Sequence, residues 1–122
     1  MEGEYPSYRE HTEGLPLTAR TAEWFQDHYV RGPEDYKDWR ASPIRAPRHD
    51  QLPPAYVLTV GYDPPHTWGE AYVRVLQEAG VRVTHRHIPD LLHGFITMGK
   101  FIPAAEWETK AAGAAVGEAL RA

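Results

Sequence analysis

The chain has 122 residues, a hydrophobic share of 42%, a charged share of 25% and a formal net charge of −4. Those values fit one globular domain and exclude a disordered or collagen-like chain. The acidic balance argues against nucleic acid as a main partner, and the lack of cysteine excludes a disulfide framework and a thiolate zinc site.

The chain opens with Glu2, Glu4, Arg9, Glu10 and Glu13 and shows no apolar stretch behind a basic start, so no signal peptide is expected. No apolar run approaches the ~20 residues of a membrane span. A cytoplasmic location without membrane contact is the expectation. Thr18 to Val30 reads as a helix with Thr18 as its N-cap. Trp24, Phe25 and Tyr29 share one face of it, as a packing face or, alternatively, as an aromatic lining for an acyl pocket. Residues 31–54 carry five prolines and read as a long irregular connection, a length that usually has a functional or linking role. Within it Ser42, before Pro43, reads as a turn or cap; Arg40, Arg45, Arg48 and His49 read as solvated loop surface.

Ala55 to Val60 is a nearly continuous apolar run bounded by Pro54 and Gly61, as a parallel strand covered on both faces would be. Thr67-Trp68-Gly69-Glu70 has the form of a capping box, with Thr67 as N-cap and Glu70 reaching back. The helix it opens carries Ala71, Tyr72, Val75, Leu76 and Ala79 on one side, and Gly80 stops it. His66 reads as a turn residue with no visible partner. Val81 to Ile88 alternates as a second strand. On it His85 and His87 point to the same face, which reads either as the exposed face of an edge strand or, with His93 or Asp90, as a zinc site. Pro103 opens a final alanine-rich helix whose Glu106 and Glu108 complement the helix dipole.

Strand, helix and strand in this order make a βαβ unit with parallel strands and, in nearly all cases, a right-handed crossover. Asp63 follows the carboxyl end of the first strand and His93 that of the second. Neighbouring strands lie ~4.8 Å apart, so both groups emerge on one sheet edge, where open α/β sheets place their ligands. Imidazole suits a general base because it titrates near neutrality, and a carboxylate behind it fixes the tautomer. Asp63 and His93 are therefore the candidate catalytic residues, in the order acid then base expected of α/β-hydrolases.

At this point a family resemblance becomes specific. It is carried by Trp24-Phe25 with Tyr29, Arg40-Ala41-Ser42-Pro43-Ile44, Leu52-Pro53-Pro54-Ala55 and Gly61-Tyr62-Asp63-Pro64. It continues through Gly69-Glu70-Ala71-Tyr72, Leu76, Ala79-Gly80-Val81 and Leu92-His93-Gly94-Phe95. In these stretches, from about Pro6 onward, the chain resembles the C-terminal third of a hormone-sensitive-lipase-type esterase of the α/β-hydrolase superfamily. The resemblance implies that Asp63 is the triad acid, that His93 is the triad base, and that carboxylic esters with short or medium acyl chains are the substrates. No cofactor and no metal are expected.

The expected fold is α/β: a partial α/β-hydrolase fold with a βαβ unit, an N-terminal helix and a C-terminal helix. Residues 1–122 would form the C-terminal part of the domain, with 1–54 as helix and connection and 55–122 as strand-helix-strand-helix. The family's His-Gly-Gly-Gly-like oxyanion loop and its Gly-x-Ser-x-Gly elbow have no counterpart here; the sequence holds two serines, Ser7 and Ser42. Two functions from different classes follow. One is an ester-hydrolase fragment, inactive until a complementing polypeptide brings the serine nucleophile. The other is a non-catalytic remnant that binds or oligomerises. A two-stranded sheet leaves an apolar strand edge open, so self-association or poor solubility is expected.

Overall fold

Two apolar runs separated by a helix pair as one parallel sheet in the computed structural model, which describes residues 6–10 and 13–121. The elements are α1 (Pro6–Glu10), α2 (Ala19–Tyr29), single 3-10 turns at Pro33–Lys37 and Pro43–Arg45, and β1 (Ala55–Tyr62). Then follow α3 (His66–Glu78), β2 (Val83–Leu92), a 3-10 turn at Phe95–Thr97, and α4 (Pro103–Ala119). The sheet has the order β1-β2.

Period-2 alternation divides β1 between two layers. Val60 packs with Phe95 and Ala105 of α4, joined by Leu58, Ile88 and Ile102. The opposite face meets α3, where Gly69 lets the helix approach Thr59 so closely that a Cβ would lie 2.8 Å from the Thr59 methyl. Val73 and Leu76 bury the inner side of α3. At its end Gly80 adopts φ +80, and the Gly80 and Val81 amides donate to the carbonyls of Gln77 and Leu76, a Schellman stop. Thr18 caps α2 by accepting from the Thr21 amide at 3.2 Å, and Pro103 takes the first position of α4.

Several local expectations are corrected. Thr67 does not cap α3. The helix starts at His66, two residues before the expected first helical residue Trp68, because Asp63-Pro64-Pro65-His66 closes a turn (His66 amide to Asp63 carbonyl, 3.1 Å) that runs directly into it. The Thr67 hydroxyl bonds Ser7 of α1 instead. The second strand runs on through Pro89 to Leu92 rather than ending at Ile88. Glu108 is buried in an ion pair with Arg86 of β2, so it ties α4 to the sheet and is more than a partner of the helix dipole. Trp24, Phe25 and Tyr29 stand 55%, 56% and 74% exposed, because α2 buries its Ala19 side and no described element covers the aromatic one. Among the described residues no helix is long and apolar enough to cross a membrane.

Candidate active site

Tyr62, the last residue of β1, pairs with Leu92, the last of β2, and this register decides where the next residue of each strand goes. The register is not uniform. From Val60 to Tyr62 is two steps along β1, whereas their partners Ile88 and Leu92 are four steps apart, so β2 carries two extra residues in a bulge. Pro89 sits in that bulge, where its missing N–H breaks no regular ladder. Its backbone presses against β1 at Gly61: a Cβ there would lie 2.0 Å from the Pro89 carbonyl oxygen. Glycine is what permits the strands to stay together across the bulge.

Past the bulge the His93 amide donates to the Tyr62 carbonyl at 3.2 Å. Gly94 then takes a left-handed φ of +78, which a side chain would oppose, and Phe95 drops into the core. His93 is thus held between a strand bond and a core anchor. Asp63, at the end of β1, precedes the first turn of α3, whose dipole favours a carboxylate. The outcome is a hydrogen bond of 3.0 Å between His93 Nδ1 and Asp63 Oδ1. The Asp63 side chain is 13% exposed and that of His93 47%. A carboxylate only accepts, so Nδ1 carries the hydrogen and Nε2 keeps its lone pair. This arrangement can accept a proton at Nε2 from an incoming hydroxyl and return it to a leaving group.

Asp63 also borders a cleft of about 390 Å³ with Ile44, Val57, Leu58, Trp68 and Tyr72 among its walls. Ser42, 2% exposed, lies on the same cleft, and its hydroxyl finds no hydrogen-bond partner among the described residues. Trp24, Phe25 and Tyr29 are not part of these walls, so the acyl-lining alternative is not realised there.

The remaining candidates resolve differently. His85 Nε2 and His87 Nδ1 share a face, as their spacing requires, and both lie 2.9 Å from the Thr59 hydroxyl. No group of three or more His, Cys, Asp or Glu placed to hold a metal occurs among the described residues. His66 has a partner after all, its Nδ1 lying 3.0 Å from the Asp63 carbonyl. Arg40 and Arg48 pair with Asp38 and Asp50 on the surface, whereas His49 is buried with Nε2 3.0 Å from the Pro43 carbonyl. Two site residues escaped the sequence reading. Gly61 reads as a strand boundary and as part of the Gly61-Tyr62-Asp63-Pro64 match, with no sign of the close approach it permits, and Ser7, 57 residues from the acid turn it contacts, leaves no local signal.

Residues 1–97 match the family model described as the α/β hydrolase fold. An ethyl acetate hydrolase of Pseudomonas putida is 39% identical over 101 residues, which cover 83% of this chain and 32% of that enzyme. Among solved structures, an ester hydrolase from the metagenome of Lake Arreo superposes with a TM-score of 0.89 at 35% identity, covering 99% of this chain and 38% of that one. A thermophilic carboxylesterase cloned from a metagenomic library gives a TM-score of 0.90 at 31% identity, covering 98% and 42%. The chain therefore spans about a third of the length of the Pseudomonas hydrolase. It belongs to the α/β-hydrolase family, and these relatives bear out its resemblance to the esterases of that family.

Proposed function

We propose that this member of the α/β-hydrolase family supplies the acid, Asp63, and the base, His93, of a serine carboxylic-ester hydrolase. One observation carries the reading: the 3.0 Å Nδ1–Oδ1 bond at the carboxyl ends of two adjacent parallel strands. In the reaction, Nε2 of His93 takes the proton of a serine hydroxyl as that oxygen attacks the ester carbonyl. Asp63 stabilises the imidazolium without itself being protonated. His93 then protonates the departing alkoxide, and a water molecule repeats the cycle to free the acid. Proton transfer and a covalent acyl intermediate suffice, and no cofactor enters.

The nucleophile and the oxyanion donors come from polypeptide outside this sequence. Ser7 and Ser42 are 0% and 2% exposed, and neither stands in hydrogen-bond contact with His93 as a nucleophile would. The apolar cleft beside Asp63 supports small esters with short or medium acyl chains as the substrate class.

The test is complementation. The chain is co-expressed with the N-terminal two thirds of the Pseudomonas hydrolase, and hydrolysis of ethyl acetate and of an activated acetate ester is followed. Activity is expected with the wild-type chain, with a loss on the order of 10⁴-fold for Asp63→Asn and 10⁶-fold for His93→Ala. Full activity of the His93→Ala pair would end the reading. So would an inactive wild-type pair beside a working control that uses the relative's own C-terminal third.

One observation favours a second reading, a non-catalytic module that binds or oligomerises. Large apolar side chains stand uncovered along and near α4: Phe101 (86% exposed), Trp107 (69%) and Leu120 (82%). Such a module would associate with itself without gaining activity on complementation, and sedimentation of the purified chain at several concentrations separates the two.

A further inference from the structure

The acid turn is bolted from outside. Pro64, directly after Asp63, and Ser7 of α1 are both fully buried. The Ser7 hydroxyl donates to the Pro64 carbonyl at 2.5 Å, and Ser7 Oγ lies 2.7 Å from Thr67 Oγ1 in the first turn of α3. A carbonyl can only accept, so the single Ser7 hydrogen goes to Pro64 and the Thr67 hydroxyl must donate to Ser7. One side chain thereby ties together the two ends of Pro64-Pro65-His66-Thr67. The next residue reinforces the grip: the Tyr8 ring stacks on Trp68 at 4.6 Å and 24°, and its hydroxyl accepts from Gln26 Nε2 at 2.9 Å.

Within the turn itself the Asp63 carbonyl receives the His66 amide and the His66 ring. That carbonyl belongs to the Asp63–Pro64 peptide, so the bond holds this peptide only while His66 stays in place, and the Pro64–Pro65 peptide, whose carbonyl Ser7 grips, decides where His66 sits. Rotation of the Pro64–Pro65 peptide would carry the His66 amide off the Asp63 carbonyl and free the Asp63–Pro64 peptide to turn, and the carboxylate with it. The buried Ser7 hydroxyl holds the Pro64 carbonyl in one orientation.

We propose that Ser7 is a positioning residue that aims the Asp63 carboxylate at His93 through the Pro64 carbonyl, with the Thr67 hydroxyl fixing the Ser7 proton on that carbonyl. Ser7 touches neither His93 nor the space where a substrate would sit, and its work is to keep the acid turned toward the imidazole. The inference rests on the reading of Asp63 and His93 as an acid–base pair, and it adds a third participant drawn from the opposite end of the sequence.

The test reads the tautomer of His93 directly, by long-range proton–nitrogen NMR of the purified chain at about pH 8.5, above the ordinary histidine range. The variants are Ser7→Ala, Thr67→Val, Thr67→Ser and Asp63→Asn. The wild type is expected to hold its proton on Nδ1, and Asp63→Asn to abolish that preference. Ser7→Ala and Thr67→Val should each lose at least half of the preference that Asp63 confers, while Thr67→Ser, which keeps the hydroxyl, retains it. If Ser7→Ala does not fold, Thr67→Val against Thr67→Ser decides the matter on its own. A purely structural Ser7 would lower the urea midpoint and leave the tautomer unchanged, and that result overturns the proposal. Should Asp63→Asn itself change nothing, the acid–base reading and the proposal fall together. Should only Asp63→Asn have an effect, the pair stands and the Ser7 clamp falls.

Discussion

Replacing Gly61 by alanine is the most direct way to ask whether the bulge in β2 sets the geometry of the site. The added Cβ would meet the Pro89 carbonyl oxygen at 2.0 Å, with the Pro89 carbonyl carbon at 2.7 Å and its Cα at 2.9 Å, against ordinary contacts of 3.4–4 Å. All three atoms are backbone, so no side chain can swing aside. Relief requires the strands to part locally by at least 3.4 − 2.0 = 1.4 Å. Applied at the next residues, that displacement takes the His93 amide and Tyr62 carbonyl from 3.2 Å to as much as 4.6 Å, and Nδ1 and Oδ1 from 3.0 Å to as much as 4.4 Å. Neither remains a hydrogen bond. Overpacking costs about 1–3 kcal/mol, and two lost bonds add about 1 kcal/mol each, so a loss of about 3–5 kcal/mol is expected. Urea unfolding measures the loss, and the His93 tautomer reports on the pair. An alanine variant within about 0.5 kcal/mol of wild type that keeps its proton on Nδ1 would refute the reasoning.

Gly113→Ala in α4 is the matching control: nothing lies within 4 Å of the new Cβ, so helix propensity alone should raise stability by about 0.5–1 kcal/mol, read from the same urea curves. Arg86→Met strips the partner from the nearly buried Glu108 carboxylate and should lower the urea midpoint, by less than the loss of a fully buried pair would because Arg86 is itself half exposed. Adding Glu108→Leu to that variant should restore part of the loss, and two additive single effects would argue against the pair. Burial pushes the Tyr8 phenol up from 10.0 to about 12, with Glu23 adding to the effect. The folded chain thus keeps a proton that the unfolded chain releases. The stabilisation is complete below about pH 10 and is lost as pH rises to about 12. Tyr8→Phe should remove that part of the alkaline decline, and parallel urea midpoints for both proteins at about pH 9 and pH 11.5 test it.

The parts of the fold legible in the sequence are those governed by neighbouring residues. β1 announced itself through a continuous apolar run between Pro54 and Gly61, and α3 through its one-sided pattern and the Gly80 stop. Asp63 and His93 were legible because a βαβ unit places the residues after its strands on one edge, whatever lies between them. What escaped depends on distant partners. Thr67 reads as a cap in its own window, but Ser7, 60 residues away, claims its hydroxyl. The alternation reads as a strand from Val81 to Ile88, yet a bulge opposite a glycine accommodates Pro89 and β2 continues. Glu108 reads as a dipole partner until Arg86 of the sheet reaches it. The spacing of Trp24, Phe25 and Tyr29 gives the apolar side of α2 but says nothing about whether these 122 residues supply a cover for it.

The two additional residues in β2 have a consequence that comes from parity. A strand presents its side chains to opposite faces by turns, so an even insertion returns the chain to the face it left and an odd one does not. Ile88 and Leu92, on either side of the irregularity, both pack against the Val60–Phe95 core, as does Leu91 within it, where the irregularity suspends the alternation. With one residue fewer, the pairing of Leu92 with Tyr62 would be lost, and the imidazole after it would leave the strand out of step with the carboxylate after Tyr62. Counting by twos is what lets a disturbed strand still deliver its histidine.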